Sequence, residues 1–195
     1  MKSGGGSAPG TAHAWRSLYP PIECHGSGWL EVGGGHSIYW EECGNPLGLP
    51  VLFVHGGPGA GCTPRDRRWF KPSRYRIVLF DQRGCGRSRP LGELADNASA
   101  DLIGDMESLR RHLKIDRWLL FGGSWGATLA LAYAQAFPER VHGLVLRGVY
   151  AATASERRWL YAVDGAAQVQ PDDWARFVAA IAPHERGDIA SAYQA

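Results

Sequence analysis

Gly122-Gly123-Ser124-Trp125-Gly126 stands between an apolar run, Trp118-Leu119-Leu120-Phe121, and a helix-forming run over residues 127–137. No other stretch limits the fold as closely. The order predicts a strand, a very tight turn and a helix, with a serine at the apex. Such a turn strains the serine backbone, lifts its hydroxyl clear of the sheet and aims the next N–H, that of Trp125, at the same point. Gly122 and Gly126 suit the flanks because a Cβ there would collide with the crossing strand and helix; Gly123 completes the elbow. A serine hydroxyl is a poor nucleophile until geometry and a neighbouring base activate it, so helix capping by Ser124 is the bland rival. With 26 glycines in 195 residues, roughly 0.2 chance matches to G-x-S-x-G are expected. Context has to decide.

Two upstream loops supply it. After the apolar run Val51-Leu52-Phe53-Val54 comes His55-Gly56-Gly57-Pro58-Gly59. Beside a nucleophile, such a loop contributes one backbone N–H to an oxyanion hole, from Gly57, and Trp125 supplies the second. Gly57-Pro58-Gly59 followed by Asp81 also imitates a dinucleotide fingerprint. That rival fails on detail, since Cys62 occupies the third glycine position and Thr63-Pro64-Arg65 starts no convincing helix. After Ile77-Val78-Leu79-Phe80 comes the second loop, Asp81-Gln82-Arg83-Gly84-Cys85-Gly86-Arg87-Ser88. Its charges are read as internally paired, with Asp81 and Arg83 bracing the floor of the site.

The short apolar runs read as strands of a mostly parallel α/β sheet. A hairpin, residues 29–32 and 37–42 about Gly33-Gly34-Gly35, opens it. Over residues 98–114, Leu102, Ile103, Met106, Leu109 and Leu113 share one helical face, with Asp101, Asp105, Arg110 and Arg111 mostly away from it. Asn97 or Ser99 is the expected N-cap. Beyond Ala151, residues 155–163, 172–181 and 184–193 read as short helices without strands. The expected organisation is a mobile tail (1–14), an α/β core (15–150) and the start of a helical cap (151–195).

Charged residues make up 21% and the net charge is +2, with basic residues spread out, so neither nucleic acid nor a membrane surface is indicated. There is no spanning apolar stretch and no basic-then-apolar leader. Cys24, Cys43, Cys62 and Cys85 show no C-x-x-C pair, and read as free thiols in a reducing, cytoplasmic setting without a zinc site.

Taken together, His55-Gly-Gly-Pro-Gly59, Asp81-Gln-Arg-Gly-Cys-Gly-Arg-Ser88 and Gly122-Gly-Ser-Trp-Gly126 resemble the proline iminopeptidases, serine peptidases of the α/β-hydrolase fold. The likeness extends to Ile38-Tyr-Trp-Glu41, Thr128-Leu-Ala-Leu-Ala-Tyr-Ala-Gln135 and Trp174-Ala-Arg-Phe177. It implies Ser124 as nucleophile, Gly57 and Trp125 as oxyanion donors, a peptide substrate with N-terminal proline, and neither metal nor cofactor. Trp125, Trp159 and Tyr161 are candidates for walling the proline pocket, with core packing an equal account of the last two. In this fold the acid and histidine follow the serine at the ends of the last strands. His142, His184, Asp164, Asp172, Asp173 and Asp188 do not suit that order. The expectation is therefore a fold cut short in the cap, inactive as it stands. An esterase or amidase, or a non-catalytic binding module, are the alternatives. Oligomeric state is not legible.

Overall fold

The computed structural model describes residues 18–193; the expected tail, 1–14, lies outside the described residues. β1 (Cys24–Gly33) and β2 (His36–Gly44) form an antiparallel hairpin. Gly34 and Gly35 turn it at φ +61° and +75°, a region where a side chain is strained. β1 begins earlier than its apolar residues suggest. Its inward positions include Gly26 and Gly28, which lie against the Trp40 ring and give no hydrophobic signal.

β3 (Leu49–Val54), β4 (Tyr75–Phe80), β5 (Trp118–Ser124) and β6 (Val141–Val149) complete a six-stranded sheet of order β1-β2-β4-β3-β5-β6. β2 meets β4 antiparallel, and β4, β3, β5 and β6 run parallel. Alternation sorts the core onto two faces. Leu52, Val54, Val78 and Phe80 pack with Leu102, Met106 and Leu109 of α1 (Ser99–His112) and Leu129, Ala130 and Tyr133 of α2 (Trp125–Ala136). On the other face Val51, Phe53, Ile77 and Leu79 meet Phe70 and Trp69. β6 is the edge strand, with Leu144, Val145 and Val149 exposed by 37%, 49% and 58%.

Several expectations change. Cys24 and Cys43 sit opposite each other across β1 and β2 and are joined as a disulfide, so two of the four cysteines are not free thiols. Hairpin register brings them together, and no sequence spacing marks that. Cys62 and Cys85 are free. The N-cap of α1 is Ala98, not Asn97 or Ser99. Asp101 takes over, its Oδ2 accepting the Ala98 N–H at 2.9 Å, while the Asn97 amide donates to the Arg83 and Glu93 carbonyls. Asp105 and Arg110 are buried rather than turned away.

Beyond the sheet come α3 (Ala154–Tyr161), α4 (Ala166–Val169), α5 (Pro171–Ala179) and α6 (Ile189–Ala192). A capping box starts α3: Thr153 Oγ1 accepts from Glu156 N–H, and Glu156 accepts from Thr153 N–H. Residues 184–193 form no continuous helix; a 3₁₀ turn, Pro183–Glu185, precedes the short α6.

Candidate active site

β5 runs to Ser124 and α2 begins at the next residue. Ser124 is exposed and held at φ +55°, ψ −125°, a conformation sparsely populated by any residue with a side chain. Close backbone contacts hold it there. A Cβ added at Gly126 would fall inside contact of the Val54 carbonyl, and one at Gly122 inside contact of the Gly126 carbonyl. β3, β5 and the first turn of α2 therefore touch backbone to backbone. The loop after β3 closes on the same point, since a Cβ at Gly56 would lie 2.9 Å from Gly123 O and 3.4 Å from the Ser124 Cβ. Gly57 follows at φ +116°, and among the described residues its N–H has no backbone partner. The N–H of Trp125, the first residue of α2, is one of the donors a helix leaves unpaired.

His55 is buried. Its Nε2 accepts the Gln82 N–H at 3.0 Å, so the proton resides on Nδ1, which donates to Gly56 O at 2.9 Å. Burial lowers its pKa. With both nitrogens committed, His55 is a neutral brace. Gln82, which the sequence reading did not single out, ties three segments: its amide donates to His55 O at 2.9 Å and accepts the Trp125 indole N–H at 3.1 Å. A partly buried indole N–H favours an acceptor, but that requirement names no particular residue in the sequence.

Asp81 and Arg83 both sit under the loops, but they do not pair with each other. Asp81 accepts from Cys62 N–H at 2.7 Å and from the Arg87 backbone and side chain at 2.8 and 2.7 Å. Burial pushes its carboxyl up, and these donors together outweigh burial and hold it below the usual range. Arg87 also reaches Glu41, which Arg67 grips with two further bonds. Arg83 pairs bidentately with Asp105 at 2.6 and 2.7 Å and donates to the Asp96 and Val32 carbonyls. It fastens α1 to the hairpin.

A cavity of about 550 Å³ opens beside the elbow, lined by Pro58, Gly59, Gln82, Cys85, Leu102 and Trp125 among others. Trp159 and Tyr161 are half-exposed in the helical segment after β6, and Tyr161 lines a separate cavity of about 250 Å³ with Trp174 and Phe177. His184 is exposed on the 3₁₀ turn Pro183–Glu185. His142 is exposed at the start of β6, level with Trp118 in the parallel register. The length of β5 puts it about 20 Å from Ser124. Among the described residues, the one group with ligand-like spacing for a metal is Cys24, Glu41 and Cys43, and its two sulfurs are bonded to each other. No described helix is long and apolar enough to cross a membrane.

Residues 50–195 match the family model for the alpha/beta hydrolase fold. The chain is 54% identical over 167 residues to the proline iminopeptidase of Neisseria meningitidis serogroup A, covering 86% of this chain and 54% of that one. It is 54% identical over 172 residues to the proline iminopeptidase of Arabidopsis thaliana, covering 88% and 45%. Among solved structures, a proline iminopeptidase-related protein from Thermus thermophilus is 31% identical at a TM-score of 0.53, covering 64% of this chain and 44% of that one. An epoxide hydrolase from Vigna radiata is 27% identical at a TM-score of 0.60, covering 74% and 46%. The chain thus spans about half the length of the curated relatives it matches. With a strained serine at a strand–helix elbow, a glycine loop packed against it and the family match across the parallel strands, the chain belongs to the α/β-hydrolase family.

Proposed function

We propose that this chain carries the nucleophile half of a serine aminopeptidase that releases N-terminal proline from peptides. One observation carries the reading: an exposed Ser124 in a strained conformation, with the Gly56-Gly57 loop seated on its elbow. Likeness to relatives named proline iminopeptidase supports the substrate class. In the reaction, the Ser124 hydroxyl attacks the carbonyl carbon of the N-terminal proline as a base removes its proton. The N–H groups of Gly57 and Trp125 stabilise the tetrahedral oxyanion. The rest of the peptide leaves as an amine, taking up the proton that the base removed, and water then hydrolyses the prolyl ester. Two such donors lower the barrier by about 3 kcal/mol each.

Among the described residues no histidine is hydrogen-bonded to the Ser124 hydroxyl. His55 has both ring nitrogens engaged, His142 stands at the far end of the sheet, and His184 is an exposed cap residue. The reading therefore draws its histidine and orienting acid from outside the described residues. Without them, the rate falls by several orders of magnitude. The test is hydrolysis of a prolyl-arylamide by this chain, and by a chimera joining it to the C-terminal half of the Neisseria meningitidis relative. Serine-dependent turnover by the chimera alone, abolished by Ser124→Ala, is the expected result. Turnover of simple aryl esters but of no prolyl-arylamide would favour an esterase. Ordinary turnover by this chain alone would show that a base had been overlooked.

A further inference from the structure

We propose that Gln82 is a positioning residue that sets the separation of the two oxyanion donors, the N–H groups of Gly57 and Trp125. This rests on the reaction proposed above. Gln82 lies two residues past the end of β4 and is 2% exposed. Its side chain and its backbone N–H make three hydrogen bonds, all to the two segments that carry those donors, while its carbonyl accepts from the N–H and thiol of Cys85 in its own loop.

On one side, the carboxamide oxygen accepts the Trp125 indole N–H. This fixes the side chain of the residue whose backbone N–H opens α2. On the other side, the amide donates to His55 O, while the Gln82 backbone N–H donates to His55 Nε2. The second bond forces the proton of His55 onto Nδ1, where it holds the Gly56 carbonyl. Gly56 C=O and Gly57 N–H belong to one planar trans peptide, so they point in opposite directions. Holding the carbonyl on the ring side turns the Gly57 N–H the other way. Position 82 thus acts on both donors: its side chain on Trp125, and its backbone N–H on Gly57 through the tautomer of His55.

Asp81 and Arg83 do not share this task, although the Ala60 N–H also donates to the Gly56 carbonyl, at 3.3 Å. Asp81 binds Cys62 and Arg87, and Arg83 binds Asp105, Asp96 and Val32. Gln82 and Trp125 also line the same 550 Å³ cavity beside the elbow, so their contact forms part of its wall. Oxyanion donors act only when placed where the charge develops, and small displacements cost large factors in rate.

Exchange and kinetics test this together. In this chain, hydrogen exchange at the Trp125 indole N–H, followed by NMR, is expected to quicken about tenfold or more in Gln82→Met. In the chimera, Gln82→Met and Trp125→Phe are each expected to lower kcat about 10- to 100-fold. KM for the prolyl-arylamide should stay within about threefold, because a misplaced donor weakens transition-state binding more than substrate binding. The double variant should be no worse than Gln82→Met alone, since that change already removes the indole bond that Trp125→Phe deletes. Trp125→Phe keeps the test open if Gln82→Met fails to fold. Unchanged indole exchange, additive losses, or a defect confined to KM would each overturn the proposal. A chimera without prolyl turnover would count against the peptidase reading, and the exchange result would then decide the clasp alone.

Discussion

At Ser124 the backbone adopts a conformation costing a residue with a Cβ on the order of 1–3 kcal/mol, and it does so at the most exposed point of the elbow. The packing of Gly122 and Gly126 holds it there, whatever side chain stands at the apex. Removing the Cβ should therefore relieve the strain. Ser124→Gly is expected to raise the free energy of unfolding by about 1 kcal/mol, read from urea denaturation, while Ser124→Ala, which keeps the Cβ, should leave it nearly unchanged. The elbow was legible in the sequence because its glycines fall at fixed offsets between an apolar run and a helical one. Gln82 was not legible. Its role depends on three bonds across segments up to 43 residues apart, and no local pattern encodes which loop residue faces which. Asp81 and Arg83 show the same limit: both were recognisable as internal braces, but their partners, Arg87 and Asp105, follow only from the fold.

Among the elements, α1 and α2 are locked by a buried polar cluster rather than by apolar packing alone. Glu107 accepts from Arg110 at 2.7 and 2.8 Å, from Arg111 at 3.0 Å and from the Tyr133 hydroxyl of α2 at 2.9 Å. Arg110 brings the Glu107 pKa down from 4.5 to about 2, with Tyr133 and Arg111 adding to the effect against burial. A carboxyl whose folded pKa is depressed stabilises the fold above its unfolded pKa, and that stability is lost as pH falls through the folded value. The contribution is about 3 kcal/mol, present in full above pH 4.5 and gone near pH 2. Glu107→Gln is expected to lower stability at pH 7 by about that amount and to flatten the acid limb in urea titrations between those pH values. A variant with the wild-type acid limb would refute the assignment. Periodicity correctly put Leu102, Met106 and Leu109 on the inner face of α1. It misjudged Asp105 and Arg110, because a helical wheel sorts apolar from charged residues and says nothing of charges that find partners inside.

Across the whole molecule, cover is uneven. One face of the sheet lies under α1 and α2, while the other is covered by Trp69, Phe70 and Tyr75, with a cavity of about 250 Å³ reaching Leu119, Phe121 and Val145. β6 leaves Leu144, Val145, Val149 and its outer edge open, the arrangement through which sheets pair or aggregate. Val145→Lys is expected to reduce self-association of this chain, seen as a lower concentration dependence of light scattering, with no change in the ellipticity of the fold. Unaltered scattering would place the association elsewhere. The order of the strands carries a further consequence. From β5 onward each strand docks on a partner already made, β5 on β3 and β6 on β5. As the chain leaves the ribosome from its N-terminal end, the sheet grows at one side in the direction of synthesis, and every new strand meets a finished template as it emerges.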